Sequence, residues 1–198
     1  MKRVLLELEQ RYGSWRKEKN YLFNCVLTRY SSSIYLNVLF NEPEYKKNIE
    51  YLKSQNIEID NSIKGFYEAF NGITLFSHSL VIFGYVNSLE RGYTPLNMES
   101  MNVRIKAKNR QWDCDYCSIG EYSKFDFCLK RRDKQGTIYV INRFDNRLVR
   151  TFPNLDSLLE YAVSKLMQRY DQSGLKLGSP EQSKNWMDNM SLEEDLFD

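Results

Sequence analysis

From Asp60 to Gly84 the chain reads DNSIKGFYEAFNGITLFSHSLVIFG, and no other stretch limits the fold as much. Asp60 or Asn61 can accept a bond from a free backbone N–H and so start a helix. Ile63, Phe66, Tyr67 and Phe70 then recur at i, i+3, i+4 and i+7, the spacing of one helix face. Asn71-Gly72 predicts its end, because glycine enters the left-handed region without a Cβ clash. Two short apolar runs follow, Ile73–Phe76 and Leu80–Phe83, and the polar Ser77-His78-Ser79 between them predicts a hairpin turn.

The chain before this stretch carries both periodicities. Val4, Leu5, Leu8 and Tyr12 predict an N-terminal helix, and the polar Trp15–Asn20 a loop. Tyr21–Leu27 and Ile34–Phe40 are rich in aromatic and β-branched residues and read as two strands, although a helix through either run fits the same composition. Asn41-Glu42-Pro43-Glu44 predicts a helix start with Asn41 as cap, and Tyr45, Ile49 and Leu52 form its apolar face.

Beyond Gly84 the pattern is mostly β. Strands are expected at Val103–Ala107, Phe125–Leu129, Thr137–Ile141 and Leu148–Phe152, the last two joined through Asp145-Asn146. Asn154 then opens a helix whose stripe runs from Leu155 through Leu158, Leu159, Ala162, Val163 and Leu166 to Tyr170. The expected class is α+β: one domain over residues 1–170, with an antiparallel β-sheet packed against N-terminal and C-terminal helices.

After Tyr170 the apolar content falls. Residues 171–198 hold two lysines against seven acids, a net of −5, while residues 1–170 carry +7. They are expected to form a flexible acidic extension that stays in solvent or folds onto a partner or onto the body. Glu7 and Glu9 interrupt any signal-like apolar run, and no run reaches the roughly 20 residues of a membrane span. The expected location is therefore the cytoplasm, with no membrane partner and with four reduced cysteines.

Chemistry finds little to use. The single histidine, His78, falls in a turn, where the flanking Ser77 and Ser79 point away from it. Cys114 and Cys117 form a lone CxxC, whereas a structural zinc site wants four ligands. No catalytic residue, metal or cofactor is expected. Arg104, Lys106, Lys108 and Arg110 alternate with Val103, Ile105, Ala107 and Asn109, and on a strand would share one face. That face reads either as solvated and edge-blunting or as a surface for an acidic protein partner. Nucleic acid is disfavoured by the net charge of +2 and the lack of a binding motif.

The order of these pieces resembles the SUKH superfamily, specifically its Smi/Knr-type branch, named after a yeast cell-wall-assembly regulator. The similar features are Phe66-Tyr67-Glu68-Ala69-Phe70-Asn71-Gly72, the hairpin ending in Ile82-Phe83-Gly84, and Ser118-Ile119-Gly120 before Phe125–Leu129. Asn154-Leu155-Asp156-Ser157-Leu158-Leu159 completes the set, so the likeness spans residues 42–168. Where the family often has a Gly-Asp turn after the Ile-Gly, this chain has Glu121-Tyr122-Ser123-Lys124. The resemblance implies a non-enzymatic binding domain. In bacteria that means an immunity protein that blocks a cognate toxin by occlusion; the alternative is a regulatory or scaffold module. The contact surface expected on this reading is Arg104, Lys106, Lys108, Arg110 and Tyr122.

Overall fold

The computed structural model describes residues 1–29, 32–41, 44–86, 94–108, 115–177 and 196–197. Its centre is one nine-stranded antiparallel sheet: β1 Arg16–Glu18, β2 Tyr21–Arg29, β3 Ser32–Phe40, β4 Ile73–Leu75, β5 Leu80–Ile82, β6 Tyr116–Tyr122, β7 Phe125–Lys130, β8 Ile138–Asn142 and β9 Leu148–Phe152. The strands lie in chain order from β1 at one edge to β9 at the other. Each pairs antiparallel with its sequence neighbours, from Arg16↔Phe23 to Tyr139↔Thr151. The class is α+β, as the sequence predicts.

Among the described residues five helices pack on this sheet: α1 Lys2–Tyr12, α2 Tyr45–Ser54, α3 Asn61–Ala69, α4 Met98–Lys108 and α5 Leu155–Met167. One large core joins Val4 and Leu8 of α1, Ile49 and Leu52 of α2, Ile63, Phe66 and Tyr67 of α3 and the whole Leu155–Leu166 stripe of α5. Phe125, Phe127 and Leu129 of β7 face that core, whereas Cys128 faces Ile105 of α4 on the other side of the sheet. This is the period-two alternation of a strand covered on both faces.

Local chemistry explains the boundaries. Asp60 Oδ1 accepts from Ile63 N at 2.9 Å and Asn154 Oδ1 from Ser157 N at 2.9 Å, so both helices start where a side chain satisfies an orphan donor. At the end of α3, Phe70 is already extended and Gly72, at φ +90°, makes the turn into β4. A Cβ on Gly72 would lie 2.7 Å from Ile82 O.

Three expectations need correction. Val103–Ala107 is helix, not strand. Met98, Asn102 and Ile105, buried at i, i+4 and i+7, are the stripe of a helix that rests on the sheet, and Asn97 Oδ1 caps it by accepting from Ser100 N at 2.9 Å. Within Trp15–Asn20, Arg16–Glu18 pairs as an edge strand; all three residues are exposed, so no apolar alternation marks it. Asn41 does not cap α2. Its N–H extends the hairpin to Asn20 O at 2.8 Å, and Glu44 holds the N-cap position without a side-chain bond.

Candidate interaction surface

The side chain of Asn102 is wholly buried and fixes α4 to the sheet. Its Nδ2 donates to Ser118 O at 2.7 Å and to Met98 O at 2.9 Å, and its Oδ1 accepts from Ser118 N at 2.9 Å. That satisfies the main chain of Ser118 just where β6 slips register against β7. Ile105 adds an apolar contact to Cys128, Ile141, Tyr116 and Tyr139. A helix held this way presents its outer side rigidly. Val103 is 62% exposed there, and Arg104, Lys106 and Ala107 are exposed around it.

The sequence-predicted surface is thus redistributed. Arg104 and Lys106 flank the buried Ile105 on opposite sides of a helix instead of sharing a strand face. Lys108 closes α4 with its backbone, and its side chain lies outside what the structure describes. Arg110 and Cys114 lie outside the described residues. Tyr122 is not on the surface that α4 presents: it is 4% exposed, its ring meets Phe197, and its hydroxyl accepts from Arg169 Nη1 at 3.2 Å.

A cleft of about 450 Å³ opens beside the start of α4, lined from α2 by Lys47, Asn48, Tyr51 and Ser54 and opposite by Gly84, Tyr85 and Glu99. Asn71 builds its wall. Its Oδ1 accepts from Tyr85 N at 2.8 Å and Asn48 Nδ2 at 2.9 Å, and its Nδ2 donates to Tyr85 O at 2.7 Å. Lys47 Nζ lies 4.3 Å from the Tyr85 ring centroid, a cation–π contact at the mouth. Burial pushes the Tyr51 phenol up. Asn71, Gly72 and Gly84 join α3 to β5 here. A Cβ on Gly84 would fall on the Asn71 carbonyl oxygen and 2.7 Å from its Oδ1.

Other polar features are structural. Arg143 Nε and Nη2 donate to the two Asp126 oxygens at 3.0 and 2.7 Å, and Nη2 also reaches Glu121 at 2.6 Å. Burial pushes the Asp126 carboxyl up while the guanidinium draws it down. Next to it, Phe144 is 81% exposed on a turn pinned by Phe144 N to Asn142 Oδ1 at 2.9 Å. No periodicity marks a single turn residue, so the sequence hides this feature.

His78 occupies the turn that the sequence predicts, which starts one residue earlier than expected, at Phe76. Phe76, Ser77 and His78 are all left-handed, at φ 53°, 54° and 69°. Packing compensates: the Phe76 ring lies between Tyr12 and Tyr170, and Tyr170 Oη donates to Phe76 O at 3.1 Å. The hollow beside it, about 200 Å³, is lined by Ser77, His78, Ser79, Tyr122 and Ser123. That lining holds no acid for a Ser–His–acid unit. Among the described residues no group of three or more His, Cys, Asp or Glu could hold a metal ion, and no helix is long and apolar enough to cross a membrane. Cys25, Cys117 and Cys128 are free thiols.

Comparison of the chain with family models, with curated proteins and with solved structures gives no match.

Proposed function

We propose that this chain is a non-enzymatic, cytoplasmic binding protein of the immunity type, which neutralises a cognate toxin domain by covering its working surface. The observation that carries the reading is the outer side of α4: an exposed Val103 among Arg104, Lys106 and Ala107, on a helix clamped to the sheet through Asn102. An apolar anchor between cations on a rigid element suits an acidic protein face, with charge steering the approach and burial of the anchor slowing release. The SUKH-like order of motifs supports the same class. The chain's own polar clusters, such as Arg143–Asp126–Glu121, are internally paired, which suits a scaffold that recognises by shape and charge.

The test is co-purification with the toxin domain encoded by the neighbouring gene, with toxin activity measured at rising ratios of this protein. One-to-one silencing is expected. The double variant R104E/K106E should weaken binding at least tenfold, a change of about 1.4 kcal/mol or more. A toxin that neither binds nor is silenced removes the reading.

The second reading, a regulatory or scaffold module acting through residues 171–198, meets one specific fact. Leu196 and Phe197 are packed in the body, so deleting the segment empties a buried aromatic site as well as removing any partner contact. Point changes within the segment are the cleaner comparison.

A further inference from the structure

Leu196 and Phe197 are buried, at 0% and 3% exposure, yet belong to no helix or strand. The Phe197 ring lies in a box of five aromatic rings. Tyr122, Phe125, Phe127 and Phe152 meet it edge-on at centroid distances of 6.0, 5.4, 5.8 and 6.2 Å, and Tyr161 stacks on it at 6.0 Å. These walls come from β6, β7, β9 and α5, which are held by their own ladders and helix bonds. The box is therefore formed by elements that do not need Phe197 for their backbone pairing. Tyr161 Oη donates to Leu196 O at 3.0 Å, a main-chain contact that does not depend on the side chain presented.

The mouth of the box is cationic. The Arg150 guanidinium lies 4.3 Å from the Tyr161 centroid and 5.5 Å from that of Phe152, and Lys165 Nζ is 5.9 Å from Tyr161. The sequence around the docked pair is the opposite: Glu193-Glu194-Asp195 precede it and Asp198 follows. An aromatic box, a donor for one carbonyl and a basic rim together recognise one ligand chemistry, a short acidic peptide with an aliphatic–aromatic pair.

We propose that this box is a peptide-docking site for an acidic Leu-Phe motif, that Leu196-Phe197 occupies it in cis, and that a partner peptide of the same chemistry enters it when the chain's own pair is withdrawn. The site lies on the face of the sheet opposite α4 and goes beyond the toxin-binding reading. Either can fail without the other.

The test uses the full chain. A fluorescein-labelled peptide of residues 189–198 is titrated against wild type and against L196A/F197A, with anisotropy as readout. The variant should bind the peptide at least tenfold tighter than wild type, whose box is filled. Adding Arg150→Glu to the variant should weaken binding severalfold, as should raising NaCl to 0.5 M, and a peptide carrying Phe197→Ala should not bind. A folded L196A/F197A chain that ignores the peptide overturns the proposal. Should that variant fail to fold, the intact sequence with a protease site inserted after Gly178 decides. On cutting, the released piece should separate on dilution while the body keeps its thermal transition. A body that unfolds once the piece is lost makes the pair an ordinary core element and overturns the proposal.

Discussion

Gly84 has no room for a side chain, because an added Cβ would collide with the Asn71 main chain, which is itself tied to Phe40 O through a 2.6 Å bond from Asn71 N. Gly84→Ala must therefore push α3 away from β5. It should cost about 3 kcal/mol, read as a lower urea midpoint at unchanged slope. Phe144 is the opposite case: with its side chain in solvent, Phe144→Ala should leave stability within about 0.5 kcal/mol of wild type in the same assay. Cys117 sets a pH dependence. Burial pushes its thiol up to about 12, so the folded chain keeps a proton that the unfolded chain releases near pH 9. The contribution is complete below that value and is lost as the pH climbs toward the folded one. Between pH 8 and 10.5 the unfolding free energy should fall by on the order of 2 kcal/mol, and by less in Cys117→Ala.

α4 is tied to the sheet by one polar side chain as well as by its apolar face. Asn102→Leu keeps the volume but strands the N–H and C=O of Ser118 without partners. The expected cost is about 2–4 kcal/mol, with faster hydrogen exchange along α4 and β6. This element also shows what could and could not be read from the chain. α3 and α5 were legible because capping side chains, Asp60 and Asn154, stand immediately before an unbroken 3.6-residue stripe. β7, β8 and β9 were legible because β-branched and aromatic runs alternate between clear turns. α4 was not, because Val103 faces solvent and Asn102 faces the core, the reverse of their usual places, so a strand's alternation fitted the residues as well. The candidate surface suffered accordingly. The sequence shows its cations, but a strand period places them on one face, and nothing in the sequence announces Phe197 beside Tyr122.

Edge protection belongs to the whole molecule. A nine-stranded open sheet has two edges, and β1 closes one with the fully exposed Arg16, Lys17 and Glu18. Charges on an edge discourage further pairing. R16V/K17V should therefore produce concentration-dependent association in sedimentation velocity, while wild type does not change with concentration. Between those edges every strand neighbours its predecessor in the chain, so most sheet contacts are close in sequence. A longer-range joint ties α1 to α5 and the turn after it, where Met1 N meets Asp156 Oδ1 at 2.6 Å and Arg11 Nη2 donates to Tyr170 O at 2.6 Å. In a refolding chain the hairpins can zip in any order over short loops, whereas this joint must wait for segments 155 residues apart to meet. Substitutions across it should leave the folding rate almost untouched and quicken unfolding instead, making that seam a latch on the lifetime of the native state rather than a seed for its formation.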